Sequence, residues 1–229
     1  MRVATVVLAA GTSQRFGRPK LLEPLGATTV LQHAVRAFVG VDRVAEVWVV
    51  TSAEREAGHR ELLAEEAVTG FVLGGDTRAA STIRALDALD PSVTHVLVHD
   101  AARPLLPRVT VEACLDAFEA ADVVATVVTP ADTVVVLDEA GERVESMPDR
   151  DRVRLQQTPQ GFRRDLLADA WAKGSGQSLP TDDVTAVLRA FPDATVAWVD
   201  GDRRTLKVTH PDDLAVVRAL AADERPDHG

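Results

Sequence analysis

Arg15, Arg18 and Lys20 sit close together on the stretch LAAGTSQRFGRPK (Leu8–Lys20), which holds Gly11 and Gly17 and no acidic residue, in a chain of formal net charge −10. Glycines let backbone N–H groups turn toward an anion, and a helix start behind the loop adds positive potential. Three cations on such a loop suit a polyphosphate; the plainer reading is a solvated basic turn. Neither familiar phosphate motif fits. G-x-x-x-x-G-K-[ST] fails because Arg18-Pro19 follow the second glycine, and G-x-G-x-x-G fails because residue 13 is Ser.

Two more stretches carry similar chemistry. GGDTRAAS (Gly74–Ser81) has two glycines that permit close backbone approach, and Asp76 is expected to cap the next helix. HDAARP (His99–Pro104) offers Asp100, suited to holding a divalent cation through oxygen, and Arg103, able to pair bidentately with phosphate. The alternative for Asp100 and Arg103 is a buried pair that only fixes the loop. Asp182-Asp183 resemble a metal pair, but acids at a helix start are the simpler reading. His99 reads as structural, and Cys114, alone in the chain, as an inert buried thiol.

The elements that must position these loops follow from hydrophobic periodicity. Short apolar runs predict strands at 3–8, 47–51, 70–73, 93–100 and 123–128, alternating with helical patterns at 29–39, 54–66, 79–89 and 109–121. Thr29 and Gln32 have capping-box spacing in the first of these helices. That alternation predicts an α/β fold: a doubly wound, mainly parallel, Rossmann-like sheet. All three loops then fall at strand carboxyl ends, where open sheets bind ligands. After Pro130 the rhythm breaks. DTVVVLDEAGERVESM has two β-rich runs around Asp138–Gly141, an inserted hairpin arm at about 132–155. Helices at 164–173 and 184–191, a strand at 195–199 and a last helix from Thr209, with Asp212 at capping-box spacing, complete one domain over 1–229. The tail DERPDHG is expected to fray.

Bulk properties narrow the partners. An isoelectric point near 5.0 argues against a general nucleic-acid or anionic-membrane surface, so an anionic ligand needs a local basic pocket. One cysteine allows no intrachain disulfide and no Cys-based zinc site. Arg2 followed by VATVVLAA faintly resembles a signal peptide, but the run is short and a patterned basic loop follows at once. No apolar run approaches the ~20 residues of a membrane span, and a cytoplasmic location is expected. Trp48, Trp171 and Trp198 are too spaced for a stacking platform and read as core.

Taken in order, the first loop, GGDTRAAS, VHDAARP, Asp132-Thr133, TPQGF, TDD at Thr181–Asp183 and LKVTHPDDL resemble one branch of the α/β nucleotidyltransferases, the 2-C-methyl-D-erythritol 4-phosphate cytidylyltransferase family. The resemblance runs from Val3 to about Leu220. It implies transfer of CMP from CTP to methylerythritol phosphate, releasing pyrophosphate, in the non-mevalonate route to isoprenoids. It implies Arg15 and Lys20 as transition-state stabilisers, and Ala9, Ala10, Gly11, Gly75, Asp76, Ser81 and Ala101 as the CTP site. Asp100 is implied beside Mg²⁺ and substrate, with Arg103, Thr133, Arg150 and Lys207 holding the acceptor phosphate. The hairpin is implied to grip a second subunit, with Arg150 serving the partner's site in a homodimer.

The chain departs from the pattern in places. Only Gly17-Arg18 separate Phe16 from Pro19, which leaves the role of Arg18 open, and Thr205 stands where relatives often have Asn. With no further domain in the sequence, the fused two-enzyme form is not expected. Rival readings are ribitol-5-phosphate cytidylyltransferase, whose loops more often read A-G-G and H-D-S-V-R, a non-catalytic nucleotide-binding module, and, distantly, a redox Rossmann protein.

Overall fold

A computed structural model describes residues 1–173, 180 and 182–223. The stretch 174–179, Thr181 of the TDD motif and the tail from 224 lie outside the described residues. The chain opens with β1 (Val3–Leu8), a short hairpin of β2 (Pro24–Leu25) and β3 (Thr28–Thr29), and α1 (Val30–Arg36). Then follow β4 (Val44–Thr51), α2 (Glu56–Leu62), β5 (Gly70–Leu73), α3 (Arg78–Ala88), β6 (His95–Asp100), α4 (Arg108–Ala117) and β7 (Val123–Val128). The second half has β8 (Val136–Leu137), β9 (Val144–Ser146), β10 (Leu155–Arg163), α5 (Arg164–Lys173), α6 (Asp183–Ala190), β11 (Val196–Asp200) and α7 (Pro211–Ala222).

Seven strands form the central sheet in the order β11-β7-β10-β6-β1-β4-β5. From β1 the chain winds outward through β4 to β5, then crosses back to place β6 on the other side of β1. This reversal makes the carboxyl ends of β1 and β6 a topological switch point, the place where such sheets leave a crevice. All pairings are parallel except those of β10, which runs antiparallel between β6 and β7. The sequence TPQGF lies on this strand.

Alternate side chains of each strand enter opposite layers. Val3 and Val7 pack with Leu31, Val35, Val111, Leu115, Leu214 and Val217 beneath α1, α4 and α7. Ala4 and Val6 pack with Leu86, Leu167, Trp171 and Val187 beneath α3, α5 and α6. Near-continuous apolar strands such as VATVVL are what burial on both faces demands.

Thr29 and Gln32 form the expected capping box at the start of α1. Two expected caps move by one residue. α3 is capped by Thr77, whose hydroxyl accepts from Ala80 N at 3.0 Å; Asp76 is exposed. Thr77 is the last extended residue, so only its side chain reaches the third helical N–H. Before α7, the carboxylate of Asp213, not that of Asp212, accepts from Thr209 N and His210 N at 2.8 and 2.7 Å. The expected arm is present. β8 and β9 pair only with each other, and Val136, Leu137, Val144 and Met147 are all exposed.

Candidate active site

The carboxyl ends of β1, β5 and β6 open into a cleft of about 780 Å³. Its wall includes Ala9, Ala10, Gly11, Arg15, Lys20, Gly75, Asp76, Ser81, Asp100 and Lys207. Three loops far apart in the chain therefore meet at one sheet edge, as their positions after apolar strands require.

The first loop leaves β1 with Ala9 N donating to Val50 O at 2.7 Å. Arg55 then clamps it from the side, donating to Gly11 O and, at 3.2 Å, to Thr12 O. Of the three cations, Arg15 is exposed on the cleft wall with no hydrogen-bond or ion-pair partner among the described residues. Lys20 is half-buried and donates through Nζ to Val208 O at 2.7 Å. Burial, followed by the neighbouring Lys207, lowers its pKa from the ordinary lysine value. Arg18 turns away, pairs with Glu23 and lies over the Phe16 ring.

The second loop shows why two glycines precede α3. A Cβ on Gly75 would lie 2.4 Å from the Ala80 Cβ, and one on Gly74 would lie 2.7 Å from the Ala10 Cβ. The turn is drawn onto the helix by Ser81, whose hydroxyl accepts from Gly75 N at 3.1 Å.

The third loop sets the electrostatics. Asp100 accepts from Arg78 Nη1 at 2.5 Å on one oxygen and from Lys207 Nζ at 2.7 Å on the other. Burial alone would push the carboxyl up, but Arg78 and Lys207 overcome it and hold Asp100 well below the usual carboxylate range. His99 is fully buried, and burial pulls its pKa to about 4, so it is neutral. Its Nε2 faces the carbonyl of Arg103 at 3.1 Å and so carries the proton. Nδ1 then accepts from the Thr158 hydroxyl at 3.0 Å, and that oxygen accepts Asp100 N–H at 3.1 Å. A neutral histidine tied at both nitrogens is a brace, as the sequence suggested.

Other expected residues stand outside the cleft wall. Ala101 is wholly buried beside Asp100. Arg103 lies 3.9 Å from Asp100 and donates to Thr205 O at 2.9 Å, which is the loop-fixing alternative. Thr133 and Arg150 are exposed at the base of the arm, where Arg150 donates to Ala131 O at 3.2 Å. Cys114 is buried, with its pKa pushed up to about 11. Asp182 caps α6, and Asp183 is buried against Arg78 and Trp171 rather than forming a metal pair with its neighbour. Arg78 and Arg55 escaped the sequence reading. Arg78 had a signal, since it sits inside GGDTRAAS.

Comparison with known proteins shows which family the chain resembles. The family model described as 2-C-methyl-D-erythritol 4-phosphate cytidylyltransferase (IspD) matches residues 3–222. A Thermobifida fusca protein of that description is 40% identical, covering 96% of this chain and 93% of its own. A Streptomyces coelicolor protein of the same description is 41% identical, covering 100% and 88%. Among solved structures, 4-diphosphocytidyl-2C-methyl-D-erythritol synthase from Anaerococcus prevotii superposes with TM-score 0.86 at 27% identity, covering 96% of this chain and 98% of that one. The Thermus thermophilus cytidylyltransferase gives 0.77 at 34%, covering 97% and 100%.

Proposed function

The chain belongs to the 2-C-methyl-D-erythritol 4-phosphate cytidylyltransferase family and transfers a cytidylyl group from CTP to that phosphate, and on this premise we propose how its residues divide the work. The observation that carries the proposal is the meeting of Lys20 and Lys207, from opposite ends of the chain, beside Asp100 in the cleft.

In the reaction an oxygen of the acceptor phosphate bonds to the α-phosphorus of CTP, and the bond to the β-phosphate oxygen breaks to release pyrophosphate. A phosphate monoester has a second pKa of about 6, so the nucleophile is already deprotonated at neutral pH. No general base is needed, and neutral, braced His99 is not one. The obstacle is repulsion between two polyanions. Lys20 and Arg15 offset it where charge builds at the α-phosphoryl group, in a recess where cations act strongly. The glycine turns with Ala9, Ala10, Gly11, Gly75, Asp76 and Ser81 hold CTP, with Ala101 fixing the backbone behind Asp100. Lys207 holds the acceptor phosphate, and Arg103 fixes the loop carrying Asp100.

Among the described residues no group of three or more His, Cys, Asp or Glu side chains could cage a metal ion. Three carboxylate residues line the cleft, Glu54, Asp76 and Asp100; Asp100 is held ionised at the end of β6, and Mg²⁺ is an ion commonly held by one or two carboxylates plus substrate phosphates. We assign Asp100 to Mg²⁺, which when bound supplies charge neutralisation on the phosphates.

The proposal extends to assembly and location. The protein is a cytoplasmic enzyme of one catalytic domain whose arm, about 132–155, reaches a second copy, so that Thr133 and Arg150 complete the partner's site. The apolar, exposed arm strands support this, as does the position of Arg150 outside the lining of the local cleft. No described helix is long and apolar enough to cross a membrane.

Subunit mixing tests the assignment. A Lys20→Met chain and an Arg150→Ala chain should each lose most of their activity alone, and in a mixed dimer one site receives both defects and the other neither. Activity recovered on mixing supports the shared site; no recovery in a verified mixed dimer overturns it.

A further inference from the structure

Arg78 opens α3, immediately after its capping residue Thr77, and its guanidinium spans two carboxylates. Nη1 donates to Asp100 Oδ1 at 2.5 Å, and Nη2 donates to Asp183 Oδ2 at 2.8 Å. Asp183 is fully buried, and its second oxygen accepts the Trp171 indole N–H at 3.1 Å. A continuous polar chain therefore runs from Trp171 on α5, through the first residue of α6 and the first residue of α3, to the carboxylate in the cleft.

Burying Asp183 costs free energy, and the start of α6 does not require it. Asp182 already caps that helix, accepting from Thr185 N at 3.0 Å. Nor does Asp183 line the cleft. What Asp183 does is hold one edge of the Arg78 fork while the other edge holds Asp100. A planar guanidinium gripped on both edges loses the freedom to swing. With Lys207 on its other oxygen, Asp100 is then held from two sides.

We propose that Arg78 and Asp183 are positioning residues for cytidylyl transfer: Asp183 fixes the Arg78 fork, and Arg78 fixes the Asp100 carboxylate in its working orientation. This rests on the reading of Asp100 as a working carboxylate of the site.

The test compares Arg78→Lys, Asp183→Asn, their double variant and Asp100→Asn in the full-length enzyme. It measures kcat, the KM for CTP and Tm, with assays run well below every Tm. Lysine keeps the charge of Arg78 but cannot grip two carboxylates. Each single variant is expected to lose about tenfold or more in kcat, as misplacement of reacting groups by an ångström can cost. The KM for CTP should stay within about threefold, since the residues assigned to CTP keep their side chains and the Arg78 fork is spent on two carboxylates. Because the two residues act in series, the double variant should be no worse than the poorer single within about threefold. Arg78 is 26% exposed, so its lysine variant should fold even if the buried Asp183→Asn does not, and it then decides alone. Wild-type kcat in Arg78→Lys with Asp100→Asn crippled overturns the positioning role. Losses that multiply in the double variant overturn the series. Wild-type kcat in Asp100→Asn overturns the reading of Asp100, and this proposal with it.

Discussion

Replacing Lys20 by Met removes one charge from the cleft while keeping an unbranched apolar side chain in the half-buried channel toward Val208. Two routes give the size of the effect. A unit charge roughly 4 Å from a phosphoryl oxygen at an effective dielectric near 20 is worth about 4 kcal/mol. Loss of one preorganised donor from a site that stabilises developing charge costs about 3–4 kcal/mol. Each 1.36 kcal/mol is tenfold in rate, so kcat should fall by about 10²–10³. The charge matters most as the α-phosphorus gains its new oxygen, so the loss belongs to kcat, with the KM for CTP within about threefold of wild type. Initial rates of pyrophosphate release over a grid of CTP and methylerythritol phosphate concentrations separate the two constants. A kcat near wild type, or a loss carried wholly by KM, refutes the assignment.

Three further outcomes are expected. Lys20 acts protonated, and burial beside Lys207 lowers its pKa in the free enzyme, so kcat/KM should fall as pH rises past a midpoint below the ordinary lysine value; Lys20→Arg, which does not titrate there, should move that alkaline limb up in a pH–rate profile. Arg18→Ala should leave kcat and both KM values within about twofold, because Arg18 is paired with Glu23 outside the cleft wall. Gly75→Ala must push back the Ala80 methyl and so disturb the start of α3, and titration with CTP should show affinity weakened by about tenfold or more, with a lowered Tm.

The three site loops were legible because each is local: an apolar strand, then glycine or a charge at its carboxyl end. Leu8–Lys20, Gly74–Ser81 and His99–Pro104 need only their own neighbours to be noticed. The arm was legible for the same reason, through the turn at Asp138–Gly141. Arg78 was not, because its meaning depends on Asp183, 105 residues on and buried by the packing of α5 against α6. Arg103 and Lys207 looked alike as cations near the acceptor. Only the fold turns one toward the carbonyl of Thr205 and the other into the cleft. β10 resisted reading as well, since a strand bearing Gln, Thr and Pro shows no apolar run, yet Thr158 on it accepts the Asp100 N–H.

The bond from Lys20 to the carbonyl of Val208 has a consequence for synthesis of the protein. The two residues are 188 positions apart, so at about 5–20 residues per second the first loop leaves the ribosome at least several seconds before its partner is made. A nascent chain that has paired β1, β4 and β6 has its glycine turns but neither Lys207 nor the carbonyl that steadies Lys20. A chain that stops after Asp200 and before Lys207 therefore holds every strand of the sheet but an unfinished catalytic centre, because β11 ends at Asp200 and both Lys207 and Val208 come after it.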